Sequence, residues 1–154
     1  MFLSTFEKQL DSKRRIVVPQ EFRALASSPF GGVFCLPSIE AECVEGGGEA
    51  LFKHYKELIE ELPFGDPLRS ALETSVYGGM TQLAFDSAGR ITLPEALCEQ
   101  FGLTDWVTLV GMGDRFQIWP REAYRARLAE ARTSAREGLA ALRNAQRQAK
   151  LGGA

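Results

Sequence analysis

The feature that most constrains this chain is an internal repeat. Residues 11–19 read DSKRRIVVP and residues 86–94 read DSAGRITLP, so Asp11, Ser12, Arg15, Ile16 and Pro19 recur 75 residues later as Asp86, Ser87, Arg90, Ile91 and Pro94. Self-similarity at a fixed offset marks a duplicated structural unit. Each copy predicts the same order: strand, polar turn, strand, proline-led helix, then two further strands. Ile16 and Val18 share one face of a strand with Val17 opposite, as Ile91 and Leu93 do with Thr92 opposite. That alternation suits a half-buried strand. Pro19 and Pro94 cannot continue a ladder but suit a first helical turn, where a missing N–H costs nothing. The helices that follow, PQEFRALASS and PEALCEQFG, pair Phe22 with Leu25 and Leu97 with Phe101 at spacings that meet on one face, with Gly102 as the stop.

Beyond the helices, GGVFCL and AECV answer to WVTLVG and RFQIW. A unit of about 45 residues buries too little surface to stand alone, so the two copies must pack on each other or interleave strands. The predicted fold class is α+β, mainly β with short helices. The expected divisions are a first half over 1–47, an acidic helical connector over 48–77, a second half over 78–122, and a C-terminal helix and tail over 123–154. In the connector, Leu51, Tyr55, Leu58 and Leu62 give an apolar stripe at helical spacing. PFGDP breaks that helix, and Asp66-Pro67 starts a second one carrying Leu68, Ala71 and Leu72. After Trp119-Pro120 the chain reads as a long solvated helix fraying into a disordered KLGGA end, its formal heptads filled mostly by alanine.

Charge is placed unevenly. The net charge is −2, yet residues 1–120 carry 10 basic and 17 acidic side chains while 121–154 carry 8 and 3. A whole-chain argument for nucleic-acid binding therefore fails, and any such argument rests on local patches. Residues 40–73 hold nine acids against three bases, so that surface should face away from a polyanion. No apolar stretch approaches the ~20 residues needed to span a bilayer. MFLSTFEKQLD lacks the basic-then-apolar order of a signal peptide. Cys35, Cys43 and Cys98 are odd in number, scattered, and inside apolar segments. They fit buried thiols in a reducing cytoplasm, with no disulfide framework and no metal spacing.

The two turns differ where it matters. Asp11 cannot pair all of Lys13, Arg14 and Arg15, so at least two cations should reach solvent on an otherwise acidic body. Arginine suits bidentate contact with phosphate or with the O6/N7 edge of guanine, and a two-stranded ribbon fits the major groove. In the second turn DSKRR has become DSAGR, and Arg90 is expected to pair with Asp86 and pin the turn. The first copy thus reads as the DNA-contacting one, and the second as its structural partner.

A tandem pair of D-x-x-x-R turns about 75 residues apart, with a proline four residues after each arginine, resembles the MraZ family. So do the FLSTFEKQLDSK opening and the WVTLVG to FQIW close. The resemblance implies two AbrB-like (SpoVT-type) swapped-hairpin halves forming a pseudo-two-fold, β-barrel-like core with peripheral helices. It further implies a transcriptional regulator that binds double-stranded promoter DNA at short G-rich repeats before the division and cell-wall gene cluster. It implies assembly of several subunits into a ring and a cytoplasmic, nucleoid-associated place of action. The family's motif arginine falls on Arg15 and its lysine on Lys13. Arg14 stands where the family has glycine, so either it accepts a left-handed turn or the turn differs locally; phosphate contact is the role expected for it. AECVEGGGEA replaces the family's aromatic-proline segment.

Two other readings compete with this one. An antitoxin-like module would neutralise a protein partner through the C-terminal segment, whose apolar anchors are few: Tyr124, Leu128, Leu139 and Leu142. An enzyme would need a nucleophile and an oriented base, whereas His54, the single histidine, sits mid-helix among lysines and glutamates. GGG at 46–48 lacks the Gly-Lys-Ser/Thr of a phosphate cradle. Trp106 and Trp119 take strand positions as core or interface residues. No catalytic residue, metal, cofactor or small-molecule substrate is implied. The C-terminal arginines either add non-specific DNA attraction or solubilise their helix.

Overall fold

Both repeats build the same run of elements in the computed structural model, which describes residues 1–26 and 28–153. The first supplies β1 (Thr5–Gln9), β2 (Arg15–Val17), α1 (Gln20–Leu25), β3 (Gly32–Pro37) and β4 (Val44–Gly47). The connector follows with α2 (Glu49–Glu60), α3 (Pro67–Leu72) and a π-helical turn (Glu73–Tyr77). The second repeat supplies β5 (Thr81–Ala84), β6 (Arg90–Thr92), α4 (Glu95–Phe101), β7 (Trp106–Gly111) and β8 (Phe116–Pro120), before α5 (Arg121–Gly152). The fold is α+β, as expected. Residues 1–121 form one compact unit and 122–154 a second.

The repeats interleave. All strand pairs are antiparallel, and the six-stranded sheet runs β1-β7-β8-β4-β3-β5. Each repeat therefore donates its first strand to the other: β1 lies on β7, and β5 lies on β3. A separate two-stranded ribbon joins β2 to β6, with Ile16 opposite Ile91, Arg15 opposite Thr92 and Val17 opposite Arg90. Because Ile16 and Ile91 are equivalent residues of the repeat, a pseudo-two-fold axis passes between them.

The main core draws on both repeats. Ile16, Val18, Ile91 and Leu93 are buried, together with Phe22, Val107, Leu109, Phe116 and Ile118. The Phe22 ring lies 5.3 Å from those of Phe2, Phe6 and Phe116. Phe22 packs from α1, but Leu25 is exposed and Ala26 is the buried residue beyond it. The expected Phe22–Leu25 pair is therefore replaced by an i, i+4 pair, since the helix ends at Leu25. Ser27, in the longer helix expected there, lies outside the described residues. In α4, Leu97 and Phe101 are buried, and Gly102 caps the helix at φ 67°.

A smaller core of Leu36, Leu51, Tyr55, Ile59 and Val76 lies under α2. Leu58 is exposed and Ile59 buried, so the stripe runs i, i+4, i+8 instead of turning at Leu58. Asp66 caps α3 by accepting from Leu68 N at 2.8 Å. That helix buries no side chain, and Leu68 is exposed. Trp119 is core, whereas Trp106 is partly exposed, with the Arg121 guanidinium 5.1 Å from its ring centre. Within the second unit, α5 has no buried residue and stays helical through Gly152, past the expected frayed start at Lys150. Ala154 lies outside the described residues.

One buried charge lies beside the smaller core. Glu45 on β4 is wholly buried and accepts from Tyr55 Oη at 2.8 Å and Ser38 Oγ at 2.7 Å, with Arg115 Nε 3.4 Å away. Burial, then the Glu45 acceptor, pushes the Tyr55 phenol above its ordinary range. A buried carboxylate stripped of its cation is costly. Arg115→Met is expected to lower unfolding free energy by roughly 3 kcal/mol, with part recovered when Glu45→Gln is added. Urea denaturation of both variants checks this; equal losses in the single and double variants would contradict it.

Candidate nucleic-acid interface

The two polar turns are built by one device. Asp11 Oδ1 accepts from Lys13 N at 2.9 Å and Arg15 N at 2.8 Å, while its Oδ2 accepts from Arg15 Nε at 2.6 Å. Asp86 Oδ1 accepts from Ala88 N and Arg90 N, each at 2.9 Å, and its Oδ2 accepts from Arg90 Nε at 2.8 Å. Backbone bonds close both loops: Arg14 N donates to Asp11 O and Gly89 N to Asp86 O, each at 3.0 Å. An aspartate does this because its short carboxylate reaches amides two and four residues on. The Arg15 amide, foremost, holds the Asp11 carboxyl below its ordinary range, and the Arg90 amide does the same for Asp86.

Arg14 accepts the left-handed conformation. Its φ is 61°, against 75° at Gly89 in the equivalent position. The turn is unchanged, and the strain is borne by a residue that rarely adopts this region. Two bonds hold it there: Leu93 N donates to Arg14 O at 2.8 Å, and Arg14 Nε donates to Leu93 O at 3.1 Å. The first has a pseudo-two-fold counterpart in Val18 N donating to Gly89 O at 3.1 Å.

The ribbon decides which way the cations point. With Ile16 and Ile91 buried, the alternation of a strand turns Arg15, Val17, Arg90 and Thr92 outward. Arg15 and Arg90 are diagonal neighbours, about 7–8 Å apart along the ribbon. Both arginines bind their own aspartates yet keep about a third of the side chain exposed, 31% and 33%. Lys13 is exposed. Among the described residues, neither Lys13 nor Arg14 pairs with a carboxylate.

A residue that the sequence reading missed completes the face. Arg23, on α1, lies over the second turn. Its Nη1 is 3.5 Å from Ala88 O, and a Cβ on Gly89 would collide with that same nitrogen. Gly89 is consequently buried although it sits in a turn. The only sequence signal was the glycine itself, which fits both a positive φ and a close approach.

The rival residues lie elsewhere. His54 is exposed on α2. Burial pushes the Cys35 thiol up to about 12, and burial followed by Glu45 does the same at Cys43. Cys98 is buried too, and its thiol is raised by burial. Among the described residues no group of histidine, cysteine and carboxylate side chains is placed to hold a metal ion, and no helix is long and apolar enough to cross a membrane.

Fold and face together define a duplicated, strand-exchanged α+β protein with its unpaired turn cations set around one outward ribbon. A family model described as "MraZ protein, putative antitoxin-like" matches residues 76–145. Transcriptional regulator MraZ of Phenylobacterium zucineum is 74% identical over 151 residues, covering 98% of this chain and 94% of that protein. The protein of the same name from Caulobacter vibrioides is 70% identical over 153 residues, covering 99% and 98%. That from Rickettsia bellii is 37% identical over 146 residues, covering 94% and 97%. The chain belongs to the MraZ family. That family is one of transcriptional regulators and not of enzymes.

Two outcomes follow from the turn geometry. A carboxyl depressed in the folded state contributes stability that is complete above the ordinary range and lost as pH falls through the folded value. The hydrogen-bonded amide shifts of Lys13, Arg15, Ala88 and Arg90 are therefore expected to hold down to about pH 4 and move only below it. An NMR titration checks this, and midpoints at or above the ordinary carboxylate value would contradict it. Arg14→Gly releases the left-handed strain but loses the bond to Leu93 O, and both are on the order of 1 kcal/mol. Its thermal stability is expected to stay within about 1 kcal/mol of wild type; a larger loss by calorimetry would mean that the side chain, not the backbone, holds the turn.

Proposed function

We propose that this chain is a sequence-specific DNA-binding transcriptional regulator that contacts double-stranded promoter DNA through Lys13, Arg14 and Arg15. The observation that carries the reading is the Asp11–Arg15 pair. It holds one guanidinium outward on a two-stranded ribbon, with unpaired cations at Lys13 and Arg14 beside it. A ribbon of this kind enters the major groove, where arginine reads guanine O6/N7 bidentately and lysine contacts phosphate. Asp11, Asp86 and Arg90 stabilise the turns. Regulation by relatives named as transcriptional regulators supports the assignment.

The finer reading is that the target is a set of short G-rich repeats before the division and cell-wall gene cluster, bound on the nucleoid by a ring of subunits. One turn neutralises few phosphates, and each contact adds roughly one unit to the salt slope. Several turns side by side, each on one repeat, raise effective affinity by ~10²–10⁴ when spacing matches. The halves 1–47 and 78–122 act as the duplicated unit, 48–77 as an acidic connector kept off the DNA, and 123–154 as a C-terminal arm. The exposed Leu128, Leu139 and Leu142 on α5 favour a second reading, an antitoxin-like arm that captures a protein partner.

Two measurements test this. In fluorescence anisotropy, wild type is expected to prefer the duplex upstream of its own gene over a shuffled one. Arg15→Ala should lose the preference while staying folded. Equal binding by wild type and variant would overturn the assignment of Arg15. Shifting adjacent repeats by about 5 bp, half a helical turn, is expected to weaken binding at least tenfold by the same avidity; unchanged affinity would overturn the ring.

A further inference from the structure

We infer that Arg23 is a phosphate-contact residue, a cation that α1 supplies to the second turn so that the DNA face is charged at both ends of the β2–β6 ribbon. The inference rests on the DNA reading above and extends it from the first turn to the second. Read as sequence, DSAGR has lost two cations, and its remaining Arg90 is held by Asp86. The fold restores one of them from a residue that lies 65 positions away from the loop it covers.

Three observations point to an outside ligand. Among the described residues no carboxylate pairs with Arg23. Its hydrogen bond to Ala88 O is 3.5 Å long and uses one of five guanidinium N–H groups. Its Nη1 lies where a Cβ on residue 89 would fall, so the glycine lets the guanidinium rest close over the turn without being displaced.

Symmetry gives the position meaning. Seventy-five residues after Arg23 stands Cys98 on α4, and the Arg14 charge bears on that thiol. In the first turn an arginine belongs to the turn and the small residue to the helix. In the second turn the glycine belongs to the turn and the arginine to the helix. A guanidinium thus stands at each end of the ribbon, and the residue that carries it switches. Three paired residues span on the order of 10 Å, comparable with the ~12 Å width of the major groove. Arg14 and Arg23 therefore flank Arg15 and Arg90 as phosphates on the two strands flank base edges.

A residue that contacts only phosphate weakens all sequences alike and shortens the salt slope, whereas a base reader changes preference. Full-length wild type, Arg23→Gln, Arg23→Lys and Arg15→Ala should be titrated by fluorescence anisotropy against the upstream duplex and a shuffled duplex across salt, with thermal midpoints measured in parallel. Arg23→Gln is expected to weaken both duplexes several-fold by the same factor, with a slope shallower by about one, and Arg23→Lys to retain the wild-type slope. Wild-type slope and affinity in Arg23→Gln would overturn the inference. So would a loss that Arg23→Lys does not rescue and that follows a fall in thermal midpoint, because Arg23 would then be a clamp on the turn. If wild type shows no preference for the upstream duplex, the promoter reading falls while Arg23 is still judged on the shuffled duplex. If wild type binds neither duplex, both fall.

Discussion

The pairing of β2 with β6 across the pseudo-two-fold is the contact on which the rest depends. It buries Ile16 against Ile91 at the centre of the duplication and joins the two halves of the core. Neither half could close by itself, since each needs the other's first strand on its hairpin and contributes only part of the shared apolar cluster. The same pairing has a functional consequence. With the isoleucines turned in, the residues on either side must turn out, so burying the core also exposes Arg15 and Arg90. Packing and cation display are two faces of one three-residue ribbon.

Electrostatics then sort the chain. Each turn spends its aspartate on two backbone amides and one guanidinium, which sets the loop shape and aims the arginine without supplying free charge. Around this frame, and among the described residues, Lys13 and Arg14 in the first turn and Arg23 over the second are added cations that no carboxylate pairs. Arg14 shows what such an addition costs, since it holds a backbone conformation that the other turn gives to glycine. Residues 40–73 carry nine acids against three bases, and Glu45, the one buried acid among the described residues, is neutralised locally by Arg115 and two hydroxyls. A chain of net charge −2 can therefore present a cationic face.

Much of this was legible in the sequence wherever the cause was local. Alternation around Ile16 and Ile91 foretold strands with one buried face, Pro19 and Pro94 foretold where the strands give way to helices, and the repeated D-x-x-x-R spacing marked both turns. What was not legible depended on distance along the chain. Interleaving was one of the two packings open to copies this small and the one the family resemblance implied. Which strands exchange, β1 onto β7 and β5 onto β3, was not legible, since they pair residues about a hundred and about fifty positions apart. Arg23 meets Gly89 only through the fold, and buried Glu45 finds its partners Arg115 and Tyr55 from segments further along the chain. Leu58 and Ile59 are adjacent and equally apolar, so the choice between them was made by the sheet beneath α2, not by the helix. The left-handed Arg14 was legible as a question, and its answer needed the bonds to Leu93.

Hydrogen–deuterium exchange of the full-length protein, alone and with the duplex upstream of its own gene, tests most directly whether the ribbon and its two turns meet DNA. The account predicts slowed exchange confined to peptides covering residues 10–18 and 86–94, in both turns together. Protection on α5 with both turns unchanged would contradict it and would put any nucleic-acid contact on the C-terminal arm.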